Sequence, residues 1–522
     1  MMPALEATLD DALADIHRPV YIQRSDGAVL DEPAPSADTA YVAASPLENL
    51  GDSTFRTDHR LRYNYVAGAM ANGIGSADIV EALGRAGMLA FFGAAGLSPE
   101  RVTTAIDRLT RSLGERHPFG FNLIHSPNEP DLEAAIVDLY LRCGIHLVEA
   151  SAFLDLTLPV VRYRLAGIRR DASGTILTPN RVIAKVSRIE VASKFLSPPP
   201  AAMLRALVEQ GQLTPDQAEL ASHIPVAQDV TAEADSAGHT DNRPALALLP
   251  TLLALRNRLQ DQYAYAIPLR IGAAGGIGTP AAAAAVLAMG AAYIVTGSVN
   301  QACVESGSSD TVRKMLAAAE QADVIMAPAA DMFEMGVKVQ VLKRGTMFAM
   351  RAAKLYELYR SRESIEAIPT AERSALEKNV FRAPLDEIWR QTCQFFQGRD
   401  PRQIERAERE PRHKMALIFR WYLGQSSRWA NAGEPSRVLD YQVWCGPAMG
   451  AFNEWTRGTF LERPGERRVV TVALNLLYGA AVLLRASQLR CQGLRLAPAV
   501  PRVAPLPSAE LEDRLRLQGT NA

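Results

Sequence analysis

Between Tyr63 and Glu320, short apolar runs alternate with amphipathic helical segments eight times, and this alternation limits the fold more than any other feature of the chain. The strand-like runs are Tyr65 to Ala69, Leu89 to Phe92, Phe119 to Ile124, His146 to Ala150, Arg181 to Val186, Ile224 to Gln228, Leu269 to Ile271 and Ala292 to Thr296. Helices follow them, several opening on a capping residue or an early proline, as at Ser76, Ser98-Pro99 and Thr279-Pro280. Strands that each hand over to a helix run parallel, because a parallel neighbour needs a crossover. Eight such units predict an α/β fold, a closed (β/α)8 TIM barrel. A doubly wound open sheet, with one run misread as a strand, is the competing arrangement.

The seventh and eighth units carry the most informative stretch, PLRIGAAGGIGTPAAAAAVLAMGAAYIVTGS, from Pro268 to Ser298. It places Gly275 and Gly276 after one strand and Gly297 and Ser298 after the next. Backbone N–H groups there meet a ligand without side-chain obstruction, which makes a phosphate cradle. Barrels commonly place such a site after strands seven and eight. A Rossmann site needs its glycines after the first strand and an acidic residue about 20 positions on. Here the glycines come late, and Ala292 to Val295 offers no acid.

Functional residues of a barrel come from the C-terminal ends of its strands. The first run ends in Ala69, Met70, Ala71 and Asn72, whose small members let a flat ring lie against the backbone. Asn122 closes the third run, and Lys185 lies inside the apolar run Val182 to Val186. An unpaired buried ammonium is costly, so Lys185 meets either the polar edge of a ligand or a carboxylate such as Glu149 or Asp229. Gln228 ends the sixth run, and a polar loop with Glu233, Asp235, His239 and Asp241 follows. Acidic neighbours raise a histidine pKa, which suits His239 to proton donation near neutral pH. A solvent-exposed loop histidine is the plain alternative, and a metal cluster of Glu233, Asp235 and His239 matches no known ligand spacing.

The chain divides into an N-terminal arm (1–58), the barrel (59–330) with a helical lid insertion (193–223), a helical extension (331–496) and a disordered tail (497–522). Met332 to Tyr359 reads as strongly helical, and four of the five tryptophans fall between Trp421 and Trp455. The net charge of −1 gives no pull towards nucleic acid or membrane. Val469 to Leu484 is too short and interrupted for a membrane span. The acidic N-terminus is unlike a signal peptide, and five scattered cysteines without a CxxC pair suit reduced thiols in the cytoplasm.

Several blocks resemble one family: AGAMANGIGSADIVEALGRAGMLAFFGAAGL, AKVSRIEVASKF, TAEADSAGHTDNRP, RIGAAGGIGTP, TGSVNQ, PAADMFEMGVKVQVLKRGTMFAMRAAKLYELY and FRWYLGQSSRWAN with DYQVWCGPAMGAFNEW. They resemble the trans-acting enoyl reductases of polyunsaturated fatty acid and trans-acyltransferase polyketide synthases, a branch of the nitronate monooxygenase-like flavoprotein superfamily. The resemblance runs from Tyr63 to Gln488, and its C-terminal blocks set this branch apart from plain nitronate monooxygenases. It implies an FMN-binding barrel that uses NADPH to reduce the α,β-double bond of an acyl chain on an acyl carrier protein. By position it puts Ala69, Met70, Ala71 and Asn72 along the flavin ring. Asn122, Lys185 and Gln228 fall on its polar groups, and Gly275, Gly276, Gly297 and Ser298 on its phosphate. His239 matches the histidine of the superfamily's Glu-Ala-Gly-Gly-His motif, in a longer form here, and with Lys185 is the expected catalytic residue. Lys338, Lys343, Arg344, Arg351 and Lys354 form either a carrier-docking face or an ordinary solvated one. A nitronate-type flavin oxidase and a non-catalytic, flavin-binding docking protein are the competing functions, and a homodimer is an open option.

Overall fold

The computed structural model describes residues 9–30, 38–127, 129–497 and 500–516. Eight parallel strands close into a barrel: β1 (Tyr65–Ala67), β2 (Leu89–Phe92), β3 (Gly120–Ile124), β4 (Leu147–Ser151), β5 (Arg181–Val186), β6 (Asp229–Glu233), β7 (Arg270–Ala274) and β8 (Ile294–Thr296). They pair in sequence order, β4 with β5 and β8 back onto β1. The helices cap as their sequences dictate: the Ser76 hydroxyl accepts from Ile79 N–H at 3.1 Å and Thr279 from Ala282 N–H at 3.2 Å. Three short antiparallel strands, Val20–Gln23, Val29–Leu30 and Thr39–Val42, precede the barrel, so part of the expected N-terminal arm is sheet.

A helix at Ser53–Asp58 closes the N-terminal end of the barrel. There Arg270, the first residue of β7, lies fully buried. Its Nε is 2.6 Å from Asp229 Oδ1 and its Nη1 2.7 Å from Asp58 Oδ2. His59 Nε2 completes the cluster 2.8 Å from Asp229 Oδ2.

This floor corrects two expectations. The sixth strand is Asp229–Glu233 and not Ile224 to Gln228, so Gln228 precedes the strand instead of ending it. Its amide nitrogen bonds Asp58 Oδ2 and the Pro268 carbonyl, both at 3.1 Å, and it meets no ligand site. The strand was hidden because it begins and ends in acids, each buried against a cation: Asp229 against Arg270, Glu233 against Lys185. The insertion is likewise misplaced as a lid. The helix Ile189–Leu196 carries the chain from the end of β5 back down the barrel wall, and Ala201–Glu209 and Pro215–Ala221 follow it. The return runs beside that descent, with Val226 N–H bonded to Ser197 O and Ala227 N–H to Phe195 O. The insertion therefore sits towards the barrel floor and lines neither cleft described below.

Beyond the barrel, Val324–Pro328 (β9) and Lys338–Leu342 (β10) form an antiparallel hairpin where a helix was expected. KVQVL alternates with period two, the signature of a strand. The helical extension has its own core around Phe333, Phe348, Phe381 and Phe419. Its last long helix, Val469–Cys491, is 23 residues of high hydropathy, long and apolar enough by composition to cross a membrane, yet 83% of its most apolar window is buried inside the fold. It lies against the barrel helix Pro280–Ala288 at Gly479, where a Cβ would come within 2.7 Å of Pro280 Cβ. Gly479→Val is expected to force the two helices apart at a cost of about 1–3 kcal/mol, read as a lower urea midpoint; an unchanged midpoint would contradict this contact. Where a disordered tail was expected, Ser508–Arg516 is helical and its Leu511 is buried, because this apolar side chain finds a place on the core; residues 498, 499 and 517–522 of that tail lie outside the described residues.

Candidate active site

The C-terminal strand ends converge on one cleft. The chain after β1 supplies Gly68, Ala69, Met70 and Ala71 as one wall. That loop folds tightly onto the end of β2, where a Cβ at Gly93 would sit 1.7 Å from Met70 O. The expected glycine pair follows β7, on the side of the cleft that adjoins this wall through β8. Gly275 and Gly276 take φ of +89° and +74°, in the region glycine favours. A Cβ at Gly276 or at Gly297 would meet no atom within 4 Å, so both open onto free space. Ser298 Oγ accepts from Gly446 N–H at 3.1 Å, tying the cradle to the helical extension. Trp444, Gly446 and Ala448 of the extension line the same cleft, so it is a joint product of barrel and extension.

Lys185 reaches in from β5. Its Nζ lies 3.4 Å from Glu233 Oε1 and 3.6 Å from Glu149 Oε2. Burial alone would lower the pKa of this ammonium, but the two carboxylates outweigh it and hold Lys185 protonated. Glu149 is fully buried, which pushes its carboxyl up against the pull of Lys185. Its Oε2 accepts from Ala69 N–H at 2.7 Å, while Oε1 has no partner among the described residues. Asn122 donates to Glu149 O at 3.1 Å and Ser151 Oγ at 3.0 Å, so its amide is fixed with the residue on the cleft wall.

His239 stands where this cleft meets a second one. Its Nε2 lies 3.1 Å from Asp331 Oδ1, on the segment after β9. Burial opposes the charged imidazole, yet the Asp331 carboxylate prevails and raises its pKa above the ordinary value. The Asp331 bond occupies Nε2 and leaves Nδ1 available. The metal reading of Glu233, Asp235 and His239 does not hold, because each turns to a different partner: Lys185, Asn242 and Gln340, and Asp331.

The structure thus brings Ala69, Met70, Ala71, Asn122, Lys185, His239, Gly275, Gly276, Gly297 and Ser298 to one cleft. Asn72 departs from the expected ring wall. At φ +58° it turns into the second cleft, and its Nδ2 donates to Ser427 Oγ at 2.9 Å. Sequence reasoning missed Asp331, Trp444 and Gly446. For Asp331 a signal existed, an acid between small and apolar residues in PAADMF.

A flat ring bearing a phosphate fits this site: small residues after β1, an open glycine cradle beside them after β7 and β8, and a held cation on β5 across the barrel. Residues 54–375 match the family model described as nitronate monooxygenase, and residues 362–441 that of the inserted helical domain of acyl-carrier-protein S-malonyltransferase. The chain belongs to the nitronate monooxygenase family, whose barrel is that of a flavoprotein. It is 50% identical over 462 residues to a component of the polyunsaturated fatty acid synthase of Thraustochytrium sp., covering 87% of this chain and 31% of that protein. It is 45% identical over 437 residues to the polyketide biosynthesis protein PksE of Bacillus subtilis, covering 84% and 57%. The crystal structure of the enoyl reductase domain of MlnA from the Bacillus amyloliquefaciens macrolactin cluster superposes with a TM-score of 0.81 at 40% identity, covering 85% of this chain and 99% of that one. Within its family the chain is thus similar to a fatty acid synthase component, a polyketide biosynthesis protein and an enoyl reductase domain. It spans about a third of the first relative and just over half of the second.

Proposed function

We propose that this protein is a cytoplasmic, NADPH-dependent FMN enoyl reductase that saturates the α,β-double bond of acyl chains on the carrier-protein domains of a polyketide or polyunsaturated fatty acid synthase. The observation that carries this reading is the position of His239, held as an acid by Asp331 at the junction of the phosphate-and-ring cleft with a second, outward cleft.

Hydride transfer from NADPH to the acyl β-carbon is the chemistry that FMN supplies when bound. Gly275, Gly276, Gly297 and Ser298 hold its phosphate, and Ala69 to Ala71 support its ring. Lys185, fixed between Glu149 and Glu233, would offer a positive charge to the ring. His239 donates a hydrogen bond from Nδ1 to the thioester oxygen as negative charge develops there, and its proton then passes to the α-carbon, leaving the imidazole neutral. One hydride at Cβ and one proton at Cα complete the reduction. Trp444, Gly446 and Ala448 keep water from the reacting groups.

The test is NADPH oxidation by purified, FMN-loaded protein with crotonyl thioester under anaerobic conditions, with the saturated thioester as product. Oxygen consumption with a nitronate and no thioester reduction would establish the oxidase alternative. A colourless protein that does not rebind FMN would defeat both. Gly276→Val fills the open cradle and strains the backbone at φ +74° by about 1–2 kcal/mol. It is expected to lower FMN occupancy by at least about tenfold, read from visible absorbance per chain; full occupancy would remove the phosphate assignment. Asp331→Asn removes the charge that raises the His239 pKa. Activity requires protonated His239 and falls as pH rises through its pKa, so the alkaline limb of kcat is expected to move to lower pH. An unmoved limb would separate Asp331 from the proton.

A further inference from the structure

The second cleft runs between the β1 and β2 loops and the helical extension, and its inner end is formed by residues of the first cleft, among them His239 and Trp444. Its outer end is marked by Phe395, 42% exposed. Two guanidinium groups face this one ring, Arg399 at 5.3 Å and Arg428 at 5.7 Å from its centroid. Arg101 stands near Gly73 on the facing loop, close enough for its charge to act on Arg428. Arg399 is held by Glu129 at 2.5 and 2.9 Å, whereas Arg101 and Arg428 have no ion-pair partner among the described residues. Partial burial and the charges of Arg399 and Arg101 all disfavour the Arg428 cation.

Three of the five cations of the expected carrier-docking face are paired within the chain, whereas Lys338 and Lys343 have no ion-pair partner among the described residues. Arg344 pairs with Glu320 and Asp323, Arg351 with Asp440, and Lys354 with Glu372. Most of that face is therefore already neutralised within the chain, whereas two of the three arginines at the cleft mouth are unpaired among the described residues. Between mouth and His239 the cleft offers side-chain amides. That of Gln442, 3% exposed, has an Nε2 without a partner among the described residues. An elongated ligand with a phosphate at one end and amide carbonyls along its length answers both features, because charge-assisted bonds to arginine are strong and an unmet buried donor is costly.

We propose that Arg101, Arg399 and Arg428 form an anion site at the mouth of the second cleft that receives the phosphate of a pantetheine arm, with Gln442 donating to an amide carbonyl of that arm. This rests on the reductase reading, since the arm carries its acyl end to His239. The test compares crotonyl-phosphopantetheine with crotonyl-pantetheine, which lacks the phosphate, and NADPH with NADH, in wild type and in Arg101→Gln/Arg428→Gln. Wild type is expected to favour the phosphorylated thioester by about 10- to 100-fold in kcat/KM, the worth of one or two charge-assisted bonds. The double variant is expected to lose that preference and keep its NADPH-to-NADH ratio. A wild type without the preference, or a variant that retains it, overturns the proposal. Loss of the NADPH preference instead assigns the arginines to the nicotinamide cofactor and also overturns it. Calorimetric binding of free phosphopantetheine to the two proteins reads the site without turnover. If neither thioester is reduced by wild type, the reductase reading fails, and binding to wild type alone still upholds the anion site; equal binding to both proteins, or none to either, ends it. Equal melting temperatures confirm that the variant is folded.

Discussion

His239→Ala is expected to lower kcat for an enoyl thioester by about 10²- to 10⁴-fold, the usual contribution of a positioned acid, with FMN still bound. The flavin is retained because the phosphate cradle and the small-residue wall belong to β1, β7 and β8, whereas His239 sits on the loop after β6. In the proposed reaction, what is lost is the group that meets charge as it develops on the thioester oxygen. Since that group acts only once the double bond is attacked, kcat falls and KM is expected to change little. Reduction of bound flavin by NADPH, followed separately under anaerobic conditions, should keep its wild-type rate, because that half-reaction leaves the thioester oxygen out. His239→Gln restores a neutral donor without a proton to give, and is expected to fall between the two. Wild-type turnover in the alanine variant would overturn the assignment.

The barrel was legible in the sequence because its strands other than the sixth, buried on both faces, read as apolar runs bounded by helix signals. The cradle was legible because glycine at two successive strand ends has few other uses. Asp229–Glu233 was not, since its acids are tolerable in a buried strand only through Arg270 and Lys185, partners supplied by other strands. A displacement of five residues along a strand is roughly 16 Å, nearly the depth of the barrel. That is why Gln228 was expected at the ligand end and lies at the floor. His239 could be picked out by its loop, but the carboxylate that sets its charge lies 92 residues on. Asn72 was correctly placed at a strand end, yet its side chain follows a hydrogen bond to Ser427, 355 residues away. Local pattern records which residues reach the site, and tertiary partners decide what each does there.

Arg270→Met is expected to destabilise the fold by about 3–5 kcal/mol, because it strands Asp229 in the barrel floor. Arg270 gives Asp229 two contacts, at 2.6 and 3.2 Å, and also binds Asp58 and Thr54 Oγ1 at 2.7 and 3.0 Å. Burial alone would raise the Asp229 carboxyl, but Arg270 first and His59 next hold it down at about 2. A carboxyl whose folded pKa lies below its unfolded value stabilises the protein fully above the unfolded value near 4. That stabilisation fades as pH falls from there towards 2. In the methionine variant the Arg270 share of the depression is lost, so its deficit should be largest at neutral pH and shrink in acid, where wild type loses the same contribution. Arg270→Met/Asp229→Leu removes both charges and is expected to recover much of the loss, since an apolar pair of similar volume serves as well as a buried ion pair. Urea unfolding of the three proteins at neutral pH measures this. A single variant within about 1 kcal/mol of wild type would show that the pair carries little, against the usual cost of breaking one. Enoyl turnover per folded molecule should hold throughout, because the cluster lies at the N-terminal ends of strands whose opposite ends bear the site. A fall in kcat parallel to the loss of stability would instead mean that the floor sets the geometry of the cleft.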